Sequence, residues 1–277
     1  LKLEKFLKKE SAKIERALSA CLPKAGERPA ALHEAMRYAV LGGGKRVRPI
    51  LALAACRAVG GAEHAVMPAA CAIELIHSYS LVHDDLPCMD DDDMRRGRPS
   101  CHKKFGEDTA LLAGDALLTL AFKMLGAPAA ARVTDASRRL EAIRLVADAV
   151  GSRGMVGGQM VDIECQGKET DLPTLEYINT QKSGALIAVS TRIGAYLGGG
   201  SPREVEALYK YGKYVGLLFQ IVDDILDGEG YAKTIGVPEA RQEAAELVRK
   251  AKNQLKPFST KGHVLGEIAD FIMTRKQ

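Results

Sequence analysis

The sequence predicts an all-α protein, and three observations predict it. Apolar residues recur at helical spacing through most of the chain, glycines and prolines punctuate those runs, and strand-type alternation of Val, Ile and Thr is scarce. No Pro/Gly/Ser-rich linker divides the 277 residues, so one domain over 1–277 is expected.

The helices follow in order. Leu3, Phe6, Leu7, Ile14, Ala17 and Leu18 mark an amphipathic helix over 1–22, stopped by Pro23 and Gly26. A second runs from near Pro29 through Met36 and Val40 to Gly42. Segments 50–59 and 68–85 read as buried helices, the latter opened by Pro68, which suits a first turn. Residues 106–122 form another, capped by Asp108 or Thr109, with Asp115 as a polar partner in the core. After an amphipathic helix over 136–150, the segment from Gly154 to Asp162 is rich in glycine. This favours close helix packing over a site role for Gln159 and Asp162. Helices over 172–196, 202–227, 238–255 and 266–275 complete the chain.

Composition narrows the function. With 47% hydrophobic and 27% charged residues the chain is an ordinary globular sequence. A net charge of +4, 5% aromatic residues and no Trp provide neither the basic stripe nor the stacking platform of a nucleic-acid binder. Six cysteines form no CxxC pair and are expected reduced and largely buried. No signal-peptide pattern is present and charges such as Asp115 interrupt the apolar stretches, so a cytoplasmic protein without a transmembrane segment is expected.

The chemistry concentrates in two acidic stretches. Six aspartates lie between Asp84 and Asp93, followed by Arg95 and Arg96; the second stretch carries Gln220, Asp223, Asp224 and Asp227 at the end of an apolar helix. Carboxylate oxygens are the hard donors Mg²⁺ takes, commonly together with substrate phosphates, and paired guanidiniums grip phosphate bidentately. Two such clusters suggest a clamp on one polyanion through shared metal ions. Gly42-Gly-Gly-Lys45-Arg46-Val-Arg48 lacks the pattern of a phosphate loop but presents three cations, either to a phosphate or as an exposed basic turn. His77, seven residues before Asp84, is a core histidine or a ligand contact. Lys182 and Ser183 interrupt an apolar helix, and a buried ammonium there needs an anion, whether structural or a substrate phosphate.

These motifs, in this order, resemble the head-to-tail isoprenyl diphosphate synthases, the farnesyl and geranylgeranyl diphosphate synthase family. The carrying blocks are Leu41-GGGKRVRP-Ile50, His77 through DDLPCMD and DDMRRGRP to Ser100, Ala113-GDALL-Thr119, Gln181-KSG-Ala185 and Gly216-LLFQIVDDILD-Gly228. The resemblance implies a helical bundle around a deep central cavity, a homodimer and Mg²⁺. It places Asp84, Asp85, Asp90, Asp223, Asp224 and Asp227 at the metal ions, of which Asp84, Asp90 and Asp223 are the foremost. It makes Arg95, Lys182, Ser183 and Gln220 contacts of an allylic diphosphate, and Lys45, Arg48, His77 and Arg96 the isopentenyl diphosphate pocket. The catalytic set is then Asp84, Asp90, Arg95, Lys182 and Asp223.

By the same resemblance, a bulky Tyr79, with Ser80 beside it, sets product length and favours farnesyl over geranylgeranyl diphosphate; a non-catalytic synthase subunit would have lost one aspartate motif. One stretch departs from the family. The polar loop with a lysine pair after the second motif is missing, and Asp227 runs on to Tyr231, Lys233 and Thr234, so Lys233 is left out of the site. The loop is either deleted or missing from the chain as given, and the abrupt join favours the second.

Overall fold

The structure is a computed structural model that describes residues 2–127 and 136–275. It is all-α. In order come α1 (Lys2–Cys21), α2 (Ala30–Leu41), α3 (Val47–Ala58) and α4 (Glu63–Asp84), a two-stranded hairpin of β1 (Met94–Arg95) and β2 (Arg98–Pro99), α5 (Cys101–Phe105) and α6 (Glu107–Gly126). Then follow α7 (Ala136–Val150), α8 (Met155–Cys165), α9 (Leu172–Ile178), a π-helical turn (Asn179–Gly184) and α10 (Ala185–Leu197). Last are α11 (Pro202–Asp227), α12 (Gly230–Ile235), α13 (Val237–Gln254), a 3₁₀ turn (Lys256–Gly262) and α14 (His263–Thr274). The contacts gather into two compact units, Leu1–Ile50 with Met67–Ala131, and Leu51–Val66 with Arg132–Gln277.

In the first unit Ile14, Leu18, Val40, Leu75, Ile76 and Leu117 are fully buried. Among them lies a cation. The Arg46 side chain, with no exposed surface, donates to Glu15 at 2.7 Å, to Glu74 at 2.7 Å and to the Val40 carbonyl at 2.5 Å. The expected trio of presented cations therefore reduces to Lys45 and Arg48, because Arg46 is turned inward as the counter-charge of a buried glutamate.

Three more expectations are corrected here. Helix α4 starts at Glu63, so Pro68 lies inside it; one hydrogen bond is forgone, but Ala65 and Val66 are buried and packing holds the added turn. Gly106 (φ 89°), rather than Asp108 or Thr109, precedes α6, while Asp108 accepts from the Thr109 amide at 2.7 Å within the first turn. Asp115 is exposed, not a core partner, and lies 4.0 Å from His83 Nε2. The hairpin was not foreseen: Met94 pairs with Pro99 and Arg95 with Arg98, and Arg96 (φ 55°) and Gly97 (φ 72°) make its two-residue turn. By length and composition α4 and α6 could each cross a membrane. The most apolar stretch of α4 is 72% buried inside the protein, the mark of a core helix, against 33% for α6.

In the second unit α10 is almost wholly buried, and α11 spans the expected 202–227. Ser201 and Glu204 cap each other's backbone, Pro202 fills the first position, and Gly228 (φ 73°) ends the helix in the left-handed conformation. The expected helix over 172–196 is broken by the π turn. Gly158 of α8 lies against the Lys182 backbone so closely that a Cβ would overlap it, which bears out glycine as packing there. After Asp227 only Gly228 and Glu229 precede α12. All six cysteines are free, with Cys56, Cys71 and Cys101 buried.

Candidate active site

Asp84 closes α4, and the Asp90 amide donates to the Asp84 carbonyl at 2.9 Å, folding the first aspartate stretch back on the helix end. Asp84 is half-buried and Asp90 exposed. Asp85 is buried against a partner. It is 2% exposed and accepts from Arg95 Nε at 2.9 Å and from Arg95 Nη2, which also reaches Asp92 at 2.8 Å. Burial pushes the Asp85 carboxyl up against the pull of Arg95. Burial also works against the Arg95 charge, yet its bonds to Asp85 outweigh this and raise its pKa. Asp85 thus positions Arg95, an expected diphosphate contact.

The hairpin turn brings Arg96 back to the glycine loop, where its Nη1 donates to the Gly43 carbonyl. Gly44 takes φ 131°, a conformation that side-chain-bearing residues rarely adopt, and a Cβ there would also displace the Arg96 guanidinium, whose Cζ would stand 2.9 Å from it. His77 on α4 is half-buried, and its pKa falls well below the ordinary value, first through burial and then through Arg48 and Arg96. The charges of Arg48 and Arg96 thus act on the His77 ring, and Lys45 at the end of the glycine loop is exposed.

His77 makes stability fall with acid. Below about pH 6.5 the unfolded chain binds a proton at this histidine that the native chain refuses, and stability declines by up to about 1.4 kcal/mol per pH unit. Urea midpoints from pH 7 to pH 5 are expected to fall less steeply in His77→Gln than in the unsubstituted protein. Equal slopes would show that His77 titrates normally.

Tyr79 is buried, 7% exposed, with its ring edge-on to His83 at 5.7 Å between centroids. Burial, then Asp84, pushes its phenol up to about 12. Ser80 donates to the His77 carbonyl of its own helix at 3.0 Å.

In the second unit Gln220 and Asp223 are half-buried at the end of α11 and Asp227 is exposed. Here too the second aspartate of the pair turns to structure. Asp224 accepts from the Tyr231 amide at 2.9 Å and Asn179 Nδ2 at 3.3 Å; burial raises its pKa, and these bonds oppose the rise. Asp223 meets Arg275 Nη2 at 2.6 Å, and the same guanidinium donates to the Phe219 carbonyl at 2.9 Å and lies over the Phe219 ring. Neither Arg275 nor Asn179 was singled out from the sequence, for each is more than forty residues from its aspartate and carries no motif of its own.

Lys182 bonds Asp162 at 2.6 Å, which supplies one anion to its partly exposed ammonium. With Ser183 it sits in the π turn, a wide coil frequent at functional sites. The Gln159 amide is buried with no hydrogen-bond partner among the described residues.

The donor chemistry fits magnesium: Asp84, Asp90, Asp223 and Asp227 place exposed or half-buried carboxylates at two helix ends. Comparison with known proteins agrees with the residues. The sequence profile of the family described as polyprenyl synthetase matches residues 29–241. The chain is 48% identical over 268 residues to a chloroplastic geranylgeranyl pyrophosphate synthase of Capsicum annuum, covering 89% of this chain and 72% of that protein. It is 45% identical over 286 residues to a heterodimeric geranylgeranyl pyrophosphate synthase large subunit of Arabidopsis thaliana, covering 95% and 76%. A crystal structure of an FPP/GFPP synthase from Zymomonas mobilis superposes with a TM-score of 0.92 at 39% identity over 99% of both chains. With the aspartate motifs in place on an all-helical chain, the protein belongs to the polyprenyl synthetase family and is a trans-isoprenyl diphosphate synthase, a prenyltransferase of isoprenoid biosynthesis.

Proposed function

We propose that this prenyltransferase condenses isopentenyl diphosphate with allylic diphosphates and releases mainly geranylgeranyl diphosphate. The observation that carries the chain length is kinship: relatives at 42–48% identity bear the geranylgeranyl name. Farnesyl diphosphate, expected from Tyr79, is the second reading. It keeps the support of a bulky buried ring a turn and a half below Asp84 and of the FPP/GFPP neighbour.

In this proposal Asp84, Asp90, Asp223 and Asp227 hold Mg²⁺, which when bound neutralises charge on the departing diphosphate. Asp85 and Asp224 serve as positioning residues. Arg95, fixed by Asp85 and Asp92, and Lys182, fixed by Asp162, act with Ser183 and Gln220 to orient the allylic diphosphate. They also stabilise the charge growing on its leaving oxygen. Lys45, Arg48 and Arg96 hold the isopentenyl diphosphate, and His77, kept neutral, donates a hydrogen bond without adding charge. The allylic C–O bond breaks with its electron pair going to the diphosphate. The isopentenyl double bond then attacks the allylic cation, and the proton released from the new chain passes to the freed diphosphate.

The test is incubation of the purified chain with labelled isopentenyl diphosphate, Mg²⁺ and each allylic diphosphate in turn. A C20 product is expected, lengthening in Tyr79→Ala, with incorporation abolished by chelation. A C15 product would favour the second reading, and no incorporation without a partner protein would leave the chain as one subunit of a heteromer. We also propose a homodimer, paired through the α6 face where Leu111 and Leu112 are 48% and 57% exposed, and sedimentation of the same sample tests it. A monomer would overturn that pairing.

A further inference from the structure

The loop after Asp90 and helix α5 carry a cluster to which the proposed reaction assigns no role. A ring nitrogen of His102 and one carboxylate oxygen from each of Asp91 and Asp93 lie within 4.8 Å of one another. His102 is 5% exposed. Its Nδ1 meets Ser100 Oγ at 3.0 Å, whereas its Nε2 is buried with no hydrogen-bond partner. A buried polar atom left this way is costly unless something binds it. An imidazole fixed through one nitrogen with the other open is also the usual state of a metal-ligating histidine. Asp91 and Asp93 are exposed. Asp93 meets Lys103 Nζ at 2.7 Å, a surface pair whose lysine, itself 43% exposed, is free to swing away.

We propose that Asp91, Asp93 and His102 form a site for one divalent ion of the zinc–manganese class, distinct from the magnesium-binding aspartates. The imidazole donor selects metals softer than Mg²⁺, while two carboxylates keep the site open to the harder members of that class. Zinc bonds to nitrogen and oxygen of about 2.0–2.2 Å let two ligand atoms stand up to about 4.4 Å apart, and rotation of two exposed carboxylates closes the remainder. The Ser100 amide already donates to the Asp93 carbonyl at 2.9 Å. A bound ion would fasten this loop to α5 and brace the hairpin that carries Arg95 and Arg96.

The test titrates Zn²⁺ into the full chain in excess Mg²⁺, with Co²⁺ as an absorbing probe and ¹⁵N-histidine NMR as the report on His102. One equivalent of Zn²⁺ is expected to bind, displace Co²⁺ and shift the Nε2 resonance of His102. In an Asp91→Asn/Asp93→Asn double variant the affinity is expected to fall at least about tenfold. Both positions are exposed, and circular dichroism checks that the variant folds. Equal affinity in the double variant, an unmoved Nε2 resonance, or absence of Zn²⁺ binding in the presence of Mg²⁺ would each overturn the site.

Discussion

Asp84→Ala and Asp223→Ala are each expected to slow prenyl transfer about a thousandfold, some 4 kcal/mol of transition-state stabilisation. Both are foremost among the carboxylates proposed to hold magnesium, and each lies at a helix end rather than inside a packed core. The Asp223 change is expected to cost stability as well. Arg275, whose side chain is 6% exposed, would keep only the Phe219 carbonyl and ring. Because Asp223 itself is 37% exposed, the loss is put at about 1–2 kcal/mol, below that of a buried pair. Single-turnover rates with labelled isopentenyl diphosphate and urea unfolding of the same variants measure both effects. Near-normal turnover in either variant would remove that aspartate from the metal set, and an unchanged urea midpoint in Asp223→Ala would remove the anchoring role of the Arg275 pair.

Arg46→Met is expected to destabilise the protein by about 3–5 kcal/mol. The substitution keeps much of the side-chain volume but leaves Glu74, 2% exposed, without its guanidinium, and an unpaired buried carboxylate must either stay charged at high cost or take up a proton. Adding Glu74→Leu is expected to restore most of the loss, since two apolar groups would replace the pair. Urea unfolding decides. A single variant that loses less than about 1 kcal/mol would mean the pair contributes little.

Much of this was visible in the sequence because it is local. The limits of α11 follow from Ser201, Pro202 and Glu204 at one end and Gly228 at the other, all within a turn of the helix they bound. The aspartate motifs and the basic glycine loop stand out through composition and spacing alone. What stayed hidden depends on distant partners or on direction. Lys45 and Arg46 are adjacent cations, and only the burial of Glu74 from another helix decides which one turns inward. Each aspartate pair likewise reads as two equal carboxylates, while Arg95 claims Asp85 and Asn179 claims Asp224. Pro68 misled because a proline that can open a helix can also be carried inside one when its neighbours are buried. The hairpin escaped because two-residue strands leave no alternation to see; the Arg96–Gly97 step was its one local sign.

The π turn at Asn179–Gly184 has a consequence for how this family member could lose a proposed substrate contact without unfolding. Such a turn accommodates one surplus residue between helical stretches that otherwise keep phase. Excising a single residue there would let the coil tighten to ordinary pitch while α9 and α10 hold their alignment. Lys182 and Ser183 would be reeled in from the bulge that displays them, silencing two side chains through a change in backbone length alone.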